Sequence, residues 1–371
     1  MASARPAALE IASPLEVASP LEIAWFAALC DDDYEYLGVP DPELASSYEH
    51  CRDIVRCADQ GGFDNCLLPS GYALGIDSIA FASGVAPLLE RMKLLVAIRC
   101  GELWPPQLAR QLATLDQMLA GRLTINIISS DVPGAPLPSG ARYARTLEVM
   151  GLLRQLLEGK PVSHHGEFYD LEIEPPRLRT VSGRCPPFYF GGFSEDAREV
   201  AARAADVYLL WPDRLEAVKE ILADLRGRAE RHGRRLRFGY RVHVIVRETE
   251  DEARAAARRL MSQLDPAVGA AIRERSLDHA SAGVRRQAEV REAADPEGFV
   301  EDALWTGIGR ARSGCGAALV GDPDQVAAKL RAYAELGIEA FILSGYTHAR
   351  EADLFARHVL PQLPHAPLEF S

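Results

Sequence analysis

Short apolar runs alternate with longer amphipathic stretches from about residue 21 to residue 363, and that alternation limits the fold more than any single motif does. It is the pattern of repeated βα units around a parallel sheet. Eight strands are predicted: Ile23–Leu29, Cys66–Pro69, Leu94–Ile98, Leu123–Ile128, Phe188–Gly192, Val207–Trp211, Phe238–Val246 and Ala340–Gly345. Helical stretches follow nearly all of them, for example Pro106–Leu119, Ala141–Leu157, Arg214–His232 and Asp353–Leu360, with apolar residues three and four apart. Eight such units favour a closed barrel over an open doubly wound sheet, and no GxGxxG fingerprint follows the first strand. The expected fold is therefore α/β, a (β/α)8 TIM barrel.

One segment interrupts the rhythm. More than seventy residues separate a helix ending near Gln263 from the eighth strand. They include the charged stretch Ala270–Glu301 and the glycine-rich run Gly307-Ile-Gly-Arg-Ala-Arg-Ser-Gly-Cys-Gly-Ala317. A long insertion of this kind, at about residues 264–316, reads as a lid before the last strand, carrying Arg310 and Arg312. The alternative is a solvated excursion whose arginines pair with nearby carboxylates. Residues 1–20 form an N-terminal extension with a degenerate repeat, Ala-Ser-Pro-Leu-Glu at 12–16 and again at 18–22. Its prolines and small residues suit a flexible leader, or an arm that packs on a partner subunit. Residues 364–371 are expected to be a C-terminal tail.

Charge and cysteine usage exclude several classes of function. The net charge of −12 leaves no basic stripe for nucleic acid, so a cationic site has to be a local pocket. Seven cysteines without CxxC pairing fit a reducing cytoplasm rather than a disulfide scaffold. No apolar run approaches the length of a membrane span, and the N-terminus lacks the blocks of a signal peptide.

The seventh strand, Arg237-Phe-Gly-Tyr-Arg-Val-His-Val-Ile-Val-Arg247, carries charge where a buried strand should have none. Successive strand residues point to opposite faces, so Arg241 and His243 share one face and Tyr240, Val242 and Val244 the other. Either that face borders a polar pocket, or the strand is an edge with its polar side in water. In barrels of this type functional groups collect at the C-terminal ends of the strands. Those ends carry Cys30 with Asp31, Asp32 and Asp33, then Ser70, Arg99, Asn126 with Ser129, Trp211, Arg241 with His243, and Tyr346 with His348. This set holds cations, hydroxyls and a large aromatic, with no HExxH pair, no comparable metal cluster and no nucleophile elbow. Phe188-Tyr-Phe-Gly-Gly-Phe-Ser194 runs from a strand through two glycines to a serine before a helix. That is either a phosphate cradle at a helix N-terminus or a plain turn with an N-cap serine.

With these residues in place the chain resembles the bacterial luciferase-like flavin monooxygenases, and most closely the two-component alkanesulfonate monooxygenases. The similarity runs from about residue 21 to 363. Its strongest blocks are Ala109-Arg-Gln-Leu-Ala-Thr-Leu-Asp116 with Gly121-Arg122, Pro187-Phe-Tyr-Phe-Gly-Gly192, Phe238-Gly-Tyr-Arg-Val-His-Val-Ile-Val-Arg-Glu-Thr249, Ala318-Leu-Val-Gly-Asp322 and Ser344-Gly-Tyr-Thr-His348. The resemblance implies an enzyme that receives FMNH2 from a separate NAD(P)H-dependent flavin reductase, forms a flavin (hydro)peroxide with O2, and oxygenates a small anionic substrate. A sulfonate cleaved at its C–S bond to aldehyde and sulfite is the leading expectation, and a homo-oligomer, dimer or tetramer, goes with it.

By the same resemblance Asn126 and Ser129 lie along the FMN, and Tyr143, Gly192 and Ser194 hold its phosphate. Arg241, His243, Arg312, Tyr346 and His348 are the expected catalytic residues, with Trp211 and Cys30 in contact with substrate. Two positions depart from the sulfonate enzymes. Cys30 stands where they usually carry histidine, and Leu74 lies in a loop where they carry cysteine. These changes point away from simple alkanesulfonates. They favour a heteroatom or carbon oxygenase of a specialised pathway; a flavin-binding protein without turnover is a further alternative on this fold, against which Arg241, His243, Arg312, Tyr346 and His348 together speak. Asp31 to Asp33 read as a solvated acidic loop, or as a contact for a cationic group on a larger substrate.

Overall fold

The computed structural model describes residues 20–370 apart from residues 72–74, 133, 275–280 and 313. The N-terminal repeat up to residue 19 and the Leu74 position thus lie outside the described residues. In chain order the strands are β1 (Glu22–Phe26), β2 (Asn65–Leu68), β3 (Lys93–Arg99), β4 (Leu123–Ile128), β5 (Val162–His165), β6 (Asp170–Ile173), β7 (Phe188–Gly191), β8 (Val207–Leu210), β9 (Arg237–Val246), β10 (Phe299–Glu301), β11 (Leu304–Trp305), β12 (Ala318–Gly321) and β13 (Ala340–Ser344). Eight of them, β1, β2, β3, β4, β7, β8, β9 and β13, pair in parallel and in that order. The ring closes through β13 on β1, with Trp25 opposite Leu343, and through β8 on β9, with Leu210 opposite Tyr240. This is the expected (β/α)8 barrel, with the eight expected strands.

Side-chain alternation divides each barrel strand between two cores. Ile23 and Trp25 of β1 face outward to the helices, whereas Ala24 and Phe26 join Leu67, Leu95, Tyr189, Val207 and Ile342 in the barrel interior. The outer core is much the larger. Helix Tyr48–Gly61 shows how local chemistry sets the boundaries, since Ser47 caps its start by accepting from the His50 amide and left-handed Gly62 ends it.

The N-terminal end of the barrel is plugged by polar groups and by the end of the chain. Glu22, 1% exposed, accepts from the Tyr189 hydroxyl at 2.7 Å, the Asn65 amide at 3.3 Å and the Leu368 backbone N–H at 3.0 Å. Burial raises its pKa, against the pull of these hydrogen bonds. The segment expected as a tail is tied down: Lys93 donates to the Leu368 carbonyl, Arg237 donates to the Glu369 carbonyl, and His365 pairs with Asp64.

Two features exceed the sequence expectation. Antiparallel β5 and β6 form a separate hairpin before β7. At the opposite rim β9 outruns β8, and β12 takes over its free edge, pairing Ala318 with His243 through Gly321 with Val246. The insertion itself consists of helices Pro266–Glu274 and Ala282–Glu292 and the hairpin of β10 and β11, which leads through β12 back into the barrel. The glycine-rich run opens with a buried 3-10 turn, Gly307–Arg310. No helix among the described residues is long and apolar enough to cross a membrane.

Leu368 is 2% exposed in the plug. Leu368→Ala is expected to destabilise the protein by roughly 2–4 kcal/mol, as buried leucine truncations do. Urea unfolding at neutral pH measures it, and a loss below about 0.5 kcal/mol would mean that the segment does not close the barrel.

Candidate active site

The parity of β9 decides what lines the C-terminal mouth. Arg241 and His243 fall on the interior face, aligned with Ile342 and Ser344 of β13. They sit at the fork where β8 ends and β12 begins. The Arg241 guanidinium lies 4.3 Å from the centre of the Phe26 ring and donates to the carbonyls of Val242 at 3.1 Å and Ile342 at 3.4 Å. Its Nη2 has no partner, and no carboxylate stands within ion-pair distance among the described residues. Burial, and then the neighbouring Arg312 charge, lower its pKa.

Arg312, delivered by the insertion, reaches the same ring, 5.7 Å from the Phe26 centre. It donates to Asp31 Oδ2 at 3.2 Å and to the Tyr346 hydroxyl. Burial works against its charge, but Tyr346 and Asp31 outweigh burial and hold its pKa up. The Tyr346 ring stacks on His243 at 5.4 Å and meets His348 edge-on at 5.3 Å. Burial pushes the Tyr346 phenol up, although Arg312 opposes the shift. His243 hydrogen bonds through Nδ1 to the Ser344 hydroxyl at 2.7 Å and is fully buried. Burial first, then Arg241, Arg312 and His348, push its pKa well below the usual histidine value, so it stands as a neutral imidazole.

The three aspartates after β1 are not a solvated loop, and this corrects the expectation. Asp33 is completely buried. It accepts from His348 Nδ1 at 2.9 Å and the His348 backbone N–H at 2.9 Å, and lies 3.2 Å from His50 Nε2. Burial would raise its pKa, yet the charge and hydrogen bonds of His348, joined by His50, hold the carboxyl well below its usual range. Because a carboxylate only accepts, His348 Nδ1 must carry the proton there, which leaves Nε2 to face the mouth. Asp31 pairs with Arg312, and Asp32 accepts from the Ser46 amide. None of the three is left for a substrate cation.

Cys30 also belongs to this cluster. Burial raises its thiol pKa, while Arg312 and Arg241 lower it. The loop after β2 closes on it, since a Cβ on Gly71 would come 2.6 Å from the Cys30 Cβ. Trp211, at the end of β8, packs on the insertion: Cβ atoms built on Gly283 and Gly314 would lie 2.9 and 3.5 Å from its ring.

The other expected residues form a second group across the mouth. Ser194 caps helix Glu195–Ala204 and donates to the Tyr143 hydroxyl at 3.2 Å. A Cβ on Gly192 would be 2.6 Å from Ala197 and 3.6 Å from the Tyr143 hydroxyl, so only glycine lets the backbone run this close to the helix N-terminus. Ser129 accepts from Thr146 at 2.8 Å, and Asn126 projects from the interior face of β4 opposite Tyr189. Hydroxyls beside a helix N-terminus fit a phosphate. Arg241 Nη2, a donor without a partner, fits an acceptor atom of an occupant, while the unpartnered His348 Nε2, with the proton on Nδ1, is an acceptor, and His243 Nε2 is also left without a partner. The arrangement therefore suits FMN together with an anion. No group of three His, Cys, Asp or Glu side chains placed to hold a metal ion occurs among the described residues.

Sequence reasoning missed Phe26, the ring under both guanidinium groups, and Asp33, which sets His348. Three acidic residues directly after a strand that faces two cations were a signal for the second.

Comparison with known proteins gives these clusters a context. The chain is 65% identical over 352 residues to sulfoquinovose monooxygenase of Novosphingobium aromaticivorans, covering 93% of this chain and 97% of the relative. It is 52% identical over 351 residues to sulfoquinovose monooxygenase of Agrobacterium fabrum, covering 92% and 91%. The crystal structure of a long-chain alkane monooxygenase shares the fold at a TM-score of 0.77 and 19% identity, covering 95% of this chain and 94% of the other. Residues 25–340 match the profile of the luciferase-like monooxygenases, and the chain belongs to that family.

Proposed function

We propose that the chain is the oxygenase of a two-component system, using FMNH2 from a separate NAD(P)H-dependent reductase to cleave the C–S bond of an anionic sulfonate. Sulfoquinovose is the first substrate to consider, because both of the similar curated relatives carry that name. One observation supports this reading above the others: Arg241 is a buried cation without a carboxylate partner among the described residues. Two carbonyl contacts and a cation–π contact of about 0.5–2 kcal/mol do not offset the several kcal/mol of burying such a charge. A compact oxyanion does, through charge-assisted hydrogen bonds.

Reduced FMN, when bound, supplies the two electrons for activation of O2. Arg241 binds the sulfonate from β9, and Arg312 approaches it from the insertion with Tyr346 on its guanidinium. Trp211 and the glycines it packs against wall the substrate and exclude water. His243, neutral between two arginines, offers a hydrogen bond without adding charge. His348 exchanges a proton at Nε2 while Asp33 fixes the ring through Nδ1. In balance, one oxygen atom of O2 is retained on the carbon as a carbonyl and the other leaves as water. The carbon loses one C–H hydrogen as a proton and its C–S bond, whose electron pair departs with sulfur as sulfite, and the two electrons that balance the water would come from the reduced flavin. Cys30, smaller than the histidine of alkanesulfonate enzymes, leaves space suited to a bulkier organic part.

Reconstitution with a flavin reductase, NADH, FMN and O2 should release sulfite from sulfoquinovose in preference to simple alkanesulfonates. An oxygenated product without sulfite would move the protein to the carbon- or heteroatom-oxygenase class, and peroxide alone from every substrate would remove the oxygenase reading.

Arg241→Met should lower kcat/KM for the sulfonate by about 10- to 150-fold, the equivalent of ~1.5–3 kcal/mol for hydrogen bonds to a charged group, with FMNH2 binding preserved by titration. A variant with wild-type kcat/KM would show that the anion binds elsewhere.

Asp33→Asn should cost about 10- to 100-fold in kcat by freeing the His348 ring, a fraction of what general acid–base groups contribute. It should also change stability with pH in a defined sense. The Asp33 pKa is lower folded than unfolded, so its stabilisation is in place above about pH 4 and is lost as pH falls further. The stability gap between wild type and Asp33→Asn, followed by denaturant unfolding, should shrink below about pH 4. A gap that widened there would contradict the assignment.

A further inference from the structure

The insertion does more than carry Arg312. Its helix Ala282–Glu292 sits on the loop after β8 through two adjacent polar side chains. Arg286 clamps Asp213 with Nε to Oδ2 at 2.6 Å and Nη2 to Oδ1 at 3.0 Å. Asp213 is 1% exposed, and its backbone is pinned in turn, with its carbonyl accepting from the Tyr240 hydroxyl at 3.1 Å and the Tyr333 hydroxyl at 2.8 Å. Gln287, 9% exposed, uses both ends of its amide. Its Nε2 donates to the Pro212 carbonyl at 2.7 Å, and its Oε1 accepts from the Gly316 amide at 3.4 Å.

Pro212 follows Trp211 directly, and Gly316 closes the strap that contains Arg312. One buried amide therefore joins the residue next to Trp211, proposed to wall the substrate, to the strap that carries Arg312, proposed to hold its anion. The Trp211 ring is bracketed by the same two pieces, Gly283 from the helix and Gly314 from the strap, each close enough that a Cβ would touch the indole. The strap is held from its other side as well, because the Gly309 amide donates to the Gly316 carbonyl at 2.7 Å and Arg291 donates to the Gly309 carbonyl at 2.9 Å. A helix so placed couples the two walls mechanically, since neither can shift without breaking a buried hydrogen bond.

We infer that Gln287, seated by the Arg286–Asp213 pair, is a positioning residue that sets Trp211 and Arg312 in common register, so that the sulfonate meets both walls together. It touches neither substrate nor cofactor and acts through the backbone at Pro212 and Gly316, beside Trp211 and on the strap of Arg312. The inference rests on the functional reading above for what those walls do, but the tie itself is independent of turnover.

The test is Gln287→Met, close in volume but without the amide, studied in the full chain. Hydrogen exchange by mass spectrometry reads the tie in the resting enzyme, and sulfite-release kinetics in the reconstituted system read its consequence. Losing one buried hydrogen-bonded bridge should speed exchange across residues 307–316 by about tenfold and raise KM for the sulfonate by about tenfold, with kcat within about twofold. General destabilisation would instead raise exchange throughout the barrel and leave KM of the folded fraction unchanged, which would overturn a positioning role. Wild-type exchange across 307–316 would overturn the tie whatever the kinetics. Absence of sulfite from the wild-type enzyme would sink the functional reading alone, and the exchange result would still decide the tie. Should Gln287→Met fail to fold, Arg286→Lys keeps the charge, loses the two-pronged clamp on Asp213, and should shift exchange and KM in the same direction.

Discussion

A guanidinium held inside a closed parallel barrel sets the terms for the whole C-terminal rim. Arg241 is buried and has no carboxylate partner among the described residues, so its neighbours either tolerate its charge or are shaped by it. His243, two residues along on the same face, is kept neutral by burial and by that field. Phe26 gives the cation a ring face. The acidic groups nearby are already engaged, Asp31 with Arg312 and Asp33 with His348 and His50. Arg241 is therefore left without a local counter-ion among the described residues, within a chain whose net charge is −12. A long-range field of that sign would repel anions, so attraction of the proposed sulfonate has to be local and desolvated.

The two ends of the barrel treat buried charge in opposite ways. At the bottom Glu22 is surrounded by a full set of donors, and the chain's own C-terminal segment seals it off. That end is complete and serves stability. At the top three of the eight buried side-chain polar atoms that lack a partner among the described residues come together, on Arg241, His243 and His348. Such incompleteness costs stability in the resting protein and is retained where a ligand completes it. The contrast separates structural from functional polarity more sharply than burial alone, since Glu22, His243 and His348 are all almost fully buried.

Much of this was legible in the chain because it depends on local periodicity. Alternation along β9 placed Arg241 and His243 on one face, and repeated βα spacing gave the closed ring in its correct order. Serine or threonine caps and strand lengths are likewise short-range properties. What escaped depends on partners distant in sequence. Asp33 reads as one of three solvated acids until His348, 315 positions away, is placed beside it. Gly307–Arg310 reads as a hinge until Gly316 and Arg291 close on it. The register of β12 on β9 was hidden for a similar reason, because Ala-Leu-Val-Gly is too short to announce a strand without the free edge that receives it.

That free edge explains why the insertion falls where it does. In a regular barrel β8 would flank β9 along its whole length, and the backbone near Arg241 would be sealed. Here β8 stops opposite Tyr240, and the chain must return from the insertion as β12 to satisfy β9 from His243 onward. Between the two, the Arg241 carbonyl accepts from the Cys315 thiol, a residue of the strap itself. The strap is thus bound to the barrel wall at the position where the unpartnered cation emerges. The insertion can be lengthened or reshaped at this fork without disturbing the β9 backbone that presents Arg241 and His243. On the proposed function, chemistry belongs to the strand and substrate choice to the segment that spans the gap.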